Sequence, residues 1–428
     1  MRIGILGGGI AGLNSALVLA EEGHEVTVFE STGQLGGLGT FFKLGDKYID
    51  RFYHCIMPMD EHMLGLIEHL GLSNKLYWQK TYMGMIYESK YFPFNGPFDL
   101  LKFSKLSFLS RLRMGAGAVL MPYIGNPHKL DDVPIQKWLE GIFGRHLWER
   151  FWKPLFSAKF GDAVDGLPAL YLRARLGRES NVADRAYIEG GLKQIIDALD
   201  NRIVANGGKI FLNRAVSLLD CQGDKVSVVD TSGQHFEFDR VLSTIPMTVL
   251  NKIVSETTPM NDLKQVPPGQ GVVNALFLTK RPLSGNYWTP VIFSDTEFDG
   301  VVESSALIKT EHYGGFHATY VMRYTSQESE LYLRNEDDIK DRWTDAFIRI
   351  HKHLNLNLAD IKSVHIFKAP YVEPLYPLGY NRIKPSFELV PRRIYSATTA
   401  HVYPGITSWN SSLGVSKQCL EKLKKSLS

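Results

Sequence analysis

A glycine-rich loop at residues 7–12, Gly-Gly-Gly-Ile-Ala-Gly, constrains the fold of this chain more than any other sequence feature. It follows an apolar stretch at residues 2–6 that predicts a buried parallel strand, and it opens a predicted helix that ends at Gly23. The first glycine permits a tight turn, the third lets the backbone approach a pyrophosphate, and the last lets the helix pack closely on the strand. The helix N-terminus would supply free N–H groups to the phosphates. The loop therefore predicts a dinucleotide-binding βαβ unit.

The next predicted strand supplies the acidic residue that such a unit needs. Residues 25–30 alternate in polarity up to Glu30, which lies 18 residues after Gly12. An acid about 20 residues after the loop binds a ribose hydroxyl in dinucleotide folds. Two alternatives are a glycine-rich turn without a ligand and a signal peptide, because Arg2 precedes a stretch without charge. A signal peptide has no need of glycines at fixed spacing, so we expect a nucleotide-binding loop.

A second glycine cluster follows the acidic residue, at Gly33, Gly36, Gly37 and Gly39. Glycines this dense indicate a second close approach of the backbone to the nucleotide, which a protein that binds only NAD does not need. The paired pattern resembles the FAD superfamily of amine oxidases, protoporphyrinogen oxidases and phytoene-desaturase-like enzymes, with some similarity to UDP-galactopyranose mutase. In these enzymes the second glycine pair binds the FAD diphosphate and ribityl chain. The resemblance implies that the cofactor is FAD.

Three later segments resemble the same superfamily in the same order along the chain. Residues 187–192 resemble its glycine turn into a helix, residues 207–216 resemble the strand whose valine backbone, here Val216, meets the adenine, and residues 239–246 resemble the strand that closes the FAD domain. Each segment alone is weak evidence, since a turn with two glycines is usually only a turn. Their joint occurrence supports the FAD assignment.

The C-terminal segment, residues 393–414, resembles the superfamily's flavin motif. In that motif a helix N-terminus points at the pyrimidine end of the flavin ring, where it stabilises negative charge on the reduced ring. We expect Asn410 and Ser411 to be N-cap residues, and a plain helix cap is the alternative. No cysteine lies in the segment, which predicts non-covalent FAD. The cofactor-binding residues implied by the resemblance are Gly7, Gly9, Ile10, Ala11, Gly12, Glu30, Ser31, Gly36, Gly37, Leu38, Val216, Thr244, Asn410, Ser411 and Leu413.

The expected fold class is α/β, with a Rossmann-type FAD-binding domain interleaved with an α+β substrate domain that carries a mostly antiparallel sheet and a helical part. Elements of nucleotide-fold type occur in three separated blocks, which predicts a discontinuous FAD-binding domain at 1–59, 185–255 and 385–428. The substrate domain is expected at 60–184 and 256–384.

Periodicity locates the main elements outside the glycine loop. The segment from about 60 to 177 is expected to be mixed and largely helical. The predicted helices are 61–70, 135–143, 192–206, 336–354 and 411–427, and the predicted strands are 209–213, 226–229, 241–245, 272–278, 318–324 and 393–397.

Three residues are candidates for catalytic groups. His54 follows the nucleotide loop where superfamily members approach the flavin ring, and UDP-galactopyranose mutases carry a histidine-containing stretch there. It would serve as an acid or base or bond a flavin edge, although a lone histidine is more often structural. Tyr53 would line the substrate face. Lys159 lies among aromatic residues and would sit in a pocket wall with a depressed pKa, unless it is simply a surface lysine.

Basic residues beyond these suggest contact with anions. Arg173 and Arg175 would hold a group such as phosphate, although surface pairing is the more common role. Residues 98–114 mix Leu and Phe with Lys and Arg, so peripheral contact with an anionic membrane is possible but less favoured than a helix packing on its own protein.

Composition limits the remaining partners. Lys and Arg number 48 against 45 Asp and Glu, and the net charge of +3 is too mild to imply nucleic acid. The three cysteines show no metal-ligand spacing and no disulfide framework, so no metal site is expected. We expect a cytoplasmic protein with a small-molecule substrate, apolar or sugar-linked, and the oligomeric state is left open.

Two functions of different classes follow from the resemblance. The first is an FAD-dependent oxidoreductase that transfers hydride from an organic substrate to flavin N5. The alternative is a non-redox flavoenzyme of the UDP-galactopyranose mutase type, a mutase or isomerase acting on a nucleotide-linked or lipid-linked sugar. A flavin-binding scaffold without catalysis has no support in the sequence.

Overall fold

The computed structural model describes residues 1–176, 181–260 and 266–426. The described residues form a mixed α/β fold. Two predicted segments end at Gly177 and Leu427, which lie outside the described residues, as do parts of the expected substrate domain.

The strands of the described residues largely match the predicted ones where a prediction was made. In chain order they are β1 (Arg2–Leu6), β2 (Glu25–Phe29), β3 (Phe41–Leu44), β4 (Lys47–Asp50), β5 (Leu76–Thr81), β6 (Gly84–Tyr87), β7 (Lys90–Pro93), β8 (Ala183–Ile188), β9 (Lys209–Phe211), β10 (Val216–Gln222), β11 (Lys225–Asp230), β12 (His235–Phe238), β13 (Arg240–Ser243), β14 (Gly269–Thr279), β15 (Trp288–Ile292), β16 (Gly300–Glu303), β17 (His317–Thr325), β18 (Ile361–Pro374), β19 (Glu388–Val390) and β20 (Ile394–Ser396).

The helices are concentrated in the middle of the chain. They are α1 (Ile10–Glu21), α2 (Glu61–His69), α3 (Pro97–Lys102), α4 (Phe108–Leu120), α5 (Pro127–Leu130), α6 (Ile135–Phe143), α7 (Arg145–Leu147), α8 (Lys153–Phe160), α9 (Ala169–Leu176), α10 (Lys193–Ala205), α11 (Met247–Ile253), α12 (Glu330–Leu333), α13 (Glu336–Ile350) and α14 (Trp409–Lys425). Within the described ranges, none of them combines the length and the apolar character needed to cross a bilayer.

A six-stranded sheet carries the glycine loop. Its order is β19-β20-β13-β1-β2-β9, and β1 lies in parallel register between β2 and β13. Parallel strands are covered on both faces, so Ile3 and Ile5 are fully buried. Helices α1, α10 and α14 pack together beside this sheet. This arrangement places the N-terminus of α1 at the carboxyl end of β1, where ligands of open α/β sheets bind.

A seven-stranded sheet forms the second layer, in the order β18-β14-β17-β16-β15-β6-β7. Its strands pair antiparallel except where β15 pairs parallel with β6. Strand β14 is buried almost throughout because β17 and β18 flank it and α13 packs Trp343 and Phe347 against the sheet. The predicted strands at 272–278 and 318–324 are confirmed as the cores of β14 and β17.

The described segment from 60 to 176 is mixed and largely helical, as the sequence predicts, but its strands were not predicted. It contains β5, β6 and β7, which pair with β8 and with the seven-stranded sheet. All four residues of β6 are buried. A short run buried on both faces has no period that distinguishes it from a helix, and its partner β15 lies some 200 residues away in sequence, so only the tertiary structure identifies it.

We predict that Gly12→Ala destabilises the protein, because a Cβ atom at this position would lie 2.0 Å from the carbonyl oxygen of Gly7. Relieving a backbone clash of this kind costs about 1–3 kcal/mol or more. The matched control is Gly65→Ala in α2, where a Cβ atom meets nothing within 4 Å. This change should stabilise the helix by up to about 1 kcal/mol. Urea unfolding would measure both, and equal effects of the two substitutions would contradict the close-packing argument.

Candidate functional site

The glycine loop folds so that the start of α1 is open toward a cavity. Gly7 adopts φ +104°, and its N–H donates to the carbonyl of Phe29 at 2.9 Å. Gly9 is the N-cap of α1 and offers no side-chain cap, so the first-turn N–H groups remain available to an anion. Gly9, Ile10 and Ala11 line a cavity of about 450 Å³.

The second glycine pair rests directly on the first loop. The N–H of Gly36, at φ +115°, donates to the carbonyl of Gly8 at 2.8 Å, and a Cβ atom on Gly37 would lie 3.3 Å from the Cα of Gly9. Glu30 joins the two segments, since one carboxylate oxygen accepts from the N–H of Gly8 at 2.8 Å and the other from the N–H of Thr32 at 2.9 Å. The two glycine segments thus form one backbone cradle.

The C-terminal segment closes the cradle from the other side. A Cβ atom on Gly39 would lie 2.0 Å from the ring of Trp409, so the indole occupies the space that this glycine leaves. The N-cap of α14 is Ser408, whose hydroxyl accepts from the N–H of Ser411 at 3.1 Å. The predicted capping role of Asn410 and Ser411 is therefore wrong, because the helix begins two residues earlier than predicted. Asn410 instead accepts from the N–H of Met63 at 3.1 Å and ties α14 to α2.

The far wall of the cavity is aromatic and charged. The hydroxyls of Tyr53 and Tyr324 lie 3.4 Å apart. Lys159 Nζ lies 3.1 Å from a carboxylate oxygen of Glu373 and 5.8 Å from the ring centre of Tyr324. Glu373 is only 2% exposed and also accepts a short hydrogen bond from the hydroxyl of Tyr171. Burying an unpaired carboxylate would cost several kcal/mol, and the ion pair with Lys159 offsets this cost.

His54 lies between the cradle and this wall. Its Nδ1 is 2.9 Å from the carbonyl oxygen of Phe52, which can only accept, so Nδ1 carries the proton and Nε2 is a hydrogen-bond acceptor. Burial lowers the pKa of His54 to about 4. The neutral ring packs at 5.5 Å from the indole of Trp409. This environment favours hydrogen bonding over proton exchange at neutral pH.

Two buried polar groups adjoin the cavity. The hydroxyl of Tyr187, a cavity residue, donates to the carboxyl of Asp50, and burial raises the pKa of Asp50 to about 7. Asn274 also lines the cavity, and its amide nitrogen donates to the carbonyl of Arg51 at 2.8 Å. Within the described residues, no protein donor reaches the buried Oδ1 of Asn274.

The structure brings most of the predicted site residues together. Those that line the cavity are Gly9, Ile10, Ala11, Gly36, Gly37, Leu38, Tyr53, His54, Lys159, Thr244 and Asn410. Those that lie outside its lining are Gly7, Gly12, Glu30, Ser31, Val216, Ser411 and Leu413. Gly7, Gly12 and Glu30 shape the loop, and Leu413 belongs to the core beside α1. Ser31 reaches a carboxylate oxygen of Glu30, and Val216 begins β10.

Several cavity residues escape prediction from the sequence. Asn274, Tyr324 and Glu373 lie on strands of the seven-stranded sheet, and Arg175, for which surface pairing was the expected role, lies on α9. Strand alternation in the sequence places residues on a buried face but does not tell which buried residue faces a ligand.

A family model described as flavin containing amine oxidoreductase matches residues 10–405. AofH of Mycobacterium tuberculosis, whose name gives it provisionally as a flavin-containing monoamine oxidase, is 26% identical over 264 residues, which is 56% of this chain and 56% of AofH. The chain thus spans little more than half the length of this curated relative.

Two solved structures share the fold across nearly the whole chain. A structure named provisionally as a protoporphyrinogen oxidase, from Exiguobacterium, has a TM-score of 0.80 at 17% identity and covers 99% of this chain and 98% of its own. Reduced UDP-galactopyranose mutase has a TM-score of 0.76 at 14% identity and covers 99% of this chain and 95% of its own. At these identities the likeness extends to the fold alone.

We predict that Asp50→Asn raises stability more at high pH than at low pH. The folded protein keeps Asp50 protonated up to about pH 7, whereas the unfolded chain releases the proton near the ordinary value of 3.8. The folded state therefore binds more protons in this window, and the contribution of Asp50 to stability falls as pH rises through it. Between pH 4 and 8, the free energy of unfolding of the variant should rise relative to that of the wild type by as much as about 4 kcal/mol, since one pKa unit corresponds to about 1.4 kcal/mol.

Urea unfolding at several pH values measures this difference. Asp46→Asn, whose side chain is 84% exposed on a turn, is the control for removing one carboxylate. A difference between Asp50→Asn and the wild type that stays constant from pH 4 to 8 would contradict the prediction.

Proposed function

The chain belongs to the flavin containing amine oxidoreductase family, and on that premise we propose that it is an FAD-dependent oxidoreductase that takes hydride from an organic substrate. FAD is the cofactor and is held non-covalently. The observation that carries the proposal is a single cavity that joins the glycine cradle and the start of α14 to the wall of Tyr53, Tyr324 and Lys159.

The residues of the cradle fit a dinucleotide. The first turn of α1 presents unpaired N–H groups, and Gly9 and Gly37 leave room for a diphosphate because neither has a side chain at the point of contact. We propose that Glu30, which already accepts from Gly8, also orients a ribose hydroxyl. When bound, the flavin ring supplies the hydride acceptor at N5. The N-terminus of α14 would stabilise negative charge on a flavin ring bound next to it.

The far wall supports a substrate with an apolar body and a polar or anionic group. Tyr53, Tyr324 and Tyr371 provide aromatic surface. Lys159, Arg175 and Glu373 add charged groups beside this aromatic surface, and over the whole cavity lining the two cations are matched by the carboxylates of Asp60 and Glu373. We propose that Lys159 binds and orients the polar group of the substrate.

The two sheets also suggest how the chain divides into domains. We propose that 1–59, 185–255 and 385–428 form the FAD-binding domain and that 60–184 and 256–384 form the substrate domain. The segregation of β1, β2 and β13 from β14, β17 and β18 into different sheets supports this division.

A non-redox mutase is the second candidate. The two cations of the cavity lining, Lys159 and Arg175, would also suit the diphosphate of a nucleotide-linked sugar, and this observation favours the alternative. The two reactions differ in their outcome, because an oxidoreductase changes the redox state of its substrate and a mutase returns an isomer with no net electron transfer.

Anaerobic titration of the purified holoenzyme with a panel of amines, cyclic terpenoids, porphyrinogens and nucleotide sugars tests the proposal. We expect at least one oxidisable compound to bleach the flavin spectrum in proportion to product formed. Isomerisation of a nucleotide sugar by the reduced enzyme, with the flavin still reduced, would establish the mutase reaction instead.

We predict that Lys159→Gln lowers kcat/KM for the substrate found in that panel by about 10- to 100-fold, since a hydrogen bond to a charged group contributes about 1.5–3 kcal/mol. The matched control is Lys153→Gln on the same helix, whose ammonium pairs with Asp165 at 2.8 Å. Stopped-flow flavin reduction measures both variants. Equal rates of flavin reduction for Lys159→Gln and the control would show that Lys159 does not bind the substrate.

We predict that His54→Gln leaves the shape of the pH profile of kcat/KM unchanged above about pH 6, because burial lowers the pKa of His54 to about 4 and the ring is already neutral there. The absolute rate should fall if Nε2 accepts a hydrogen bond from a ligand. A wild-type inflection near pH 6.5 that disappears in His54→Gln would show that the histidine titrates during turnover.

A further inference from the structure

Helices α3 and α4 and the short helix Met121–Tyr123 leave a group of large apolar side chains exposed to solvent, which we call the α3–α4 face. Phe108 is 58% exposed, Leu109 77% and Tyr123 84%. Monomeric soluble proteins rarely expose contiguous apolar surface unless it binds something. The exposed members of the face are Phe98, Leu101, Phe108, Leu109, Leu112, Val119, Leu120 and Tyr123.

Helix α4 is amphipathic in an unusual direction, with apolar residues on its solvent side. At 100° per residue, its five exposed apolar side chains fall within an arc of roughly 120°. Met114 and Gly117 occupy the opposite side and are buried, and a Cβ atom on Gly117 would lie 2.3 Å from the ring of Phe143. The helix therefore packs on the protein through one face and presents a second apolar face that the described residues do not cover.

Positive charge surrounds this surface. Exposed basic residues lie on α3, α4, α5 and α6, namely Lys102, Arg113, Lys129 and Lys137. Two of the neighbouring acids are engaged with other parts of the protein. Asp131 is buried and accepts from the hydroxyl of Tyr403, and Asp132 pairs with Arg382 at 2.6 Å. The face thus combines exposed apolar side chains with a basic border.

A second cavity opens beside the face. It has a volume of about 680 Å³ and lies between α4, α5 and α6. Leu120, Ile124, Val133 and Ile142 are among its apolar lining residues, and Arg113, Lys129 and Lys137 also line it. An apolar groove with cations at its edge matches an acyl chain joined to an anionic head group.

Helix α9 connects the face with the proposed active site. It packs on the helix Met121–Tyr123, and Arg173 donates to the carbonyl of Gly125 at 2.5 Å. The same helix carries Arg175 into the lining of the FAD cavity. The surface and the substrate wall are therefore separated by a single helix.

We propose that the α3–α4 face docks on the surface of an anionic phospholipid bilayer. Its apolar side chains enter the acyl boundary while the border lysines and arginines contact head groups, as for helices that lie in the membrane plane. A second copy of the chain is a poorer occupant. A two-fold dimer would bring the same patch of both copies together and would oppose their positive borders.

Vesicle co-sedimentation of the full-length holoenzyme tests this proposal. The probes are vesicles of pure phosphatidylcholine and vesicles of equal parts phosphatidylcholine and phosphatidylglycerol. We expect the wild type to bind the anionic vesicles, and we expect added salt to weaken this binding. Leu109→Asp should bind the same vesicles at least about tenfold more weakly than the wild type. Lys129→Glu should also bind about tenfold more weakly.

Matched controls lie on other surfaces. Leu333→Asp alters a leucine that is 72% exposed, and Lys252→Glu alters an exposed lysine of α11, so both should bind like the wild type. The visible flavin spectrum verifies that each variant is folded. The proposal fails if the wild type binds no better to anionic than to neutral vesicles, or if Leu109→Asp and Leu333→Asp bind equally. It also fails if light scattering shows a dimer that Leu109→Asp converts to a monomer.

Discussion

The contact between backbone and backbone at the glycine segments is the constraint on which the rest of the structure depends. Gly12 lies so close to the carbonyl of Gly7 that no side chain fits between them, and in a second backbone contact the N–H of Gly36 donates to the carbonyl of Gly8. These contacts bring α1 onto β1 and bring the second glycine pair onto the first. The helix start then lies open at the edge of the six-stranded sheet, and the C-terminal segment closes over it through Trp409.

Burial determines the chemistry of the groups around this cradle. Desolvation lowers the pKa of His54 and raises that of Asp50, so both residues favour their neutral forms in the folded protein. On the far wall, the opposite charges of Lys159 and Glu373 lie 3.1 Å apart. Burial thus shifts the protonation of single groups beside the cradle, while Lys159 and Glu373 form an ion pair on the far wall.

The helical segment gives the molecule a second surface with its own chemistry. Helix α4 packs through Met114 and Gly117, and this leaves its other apolar side toward solvent. Helix α9 lies between that surface and the cavity. An enzyme that works on a membrane-dissolved substrate would need such a short path from bilayer to active site.

Local spacing in the sequence was sufficient to predict the glycine loop, the acid at Glu30, the second glycine pair and α14, because backbone approach, helix start and strand alternation each depend on a few neighbouring residues. The start of α14 was missed by two residues because Ser408 competes with Asn410 as cap. The far wall required the tertiary structure. Tyr324 and Glu373 come from β17 and β18, which meet only through the register of β14, and β6 finds its partner some 200 residues later. The sequence alone therefore determined where the glycine cradle forms. Which buried side chains line the far wall of the cavity was decided by long-range strand pairing, which no local pattern encodes.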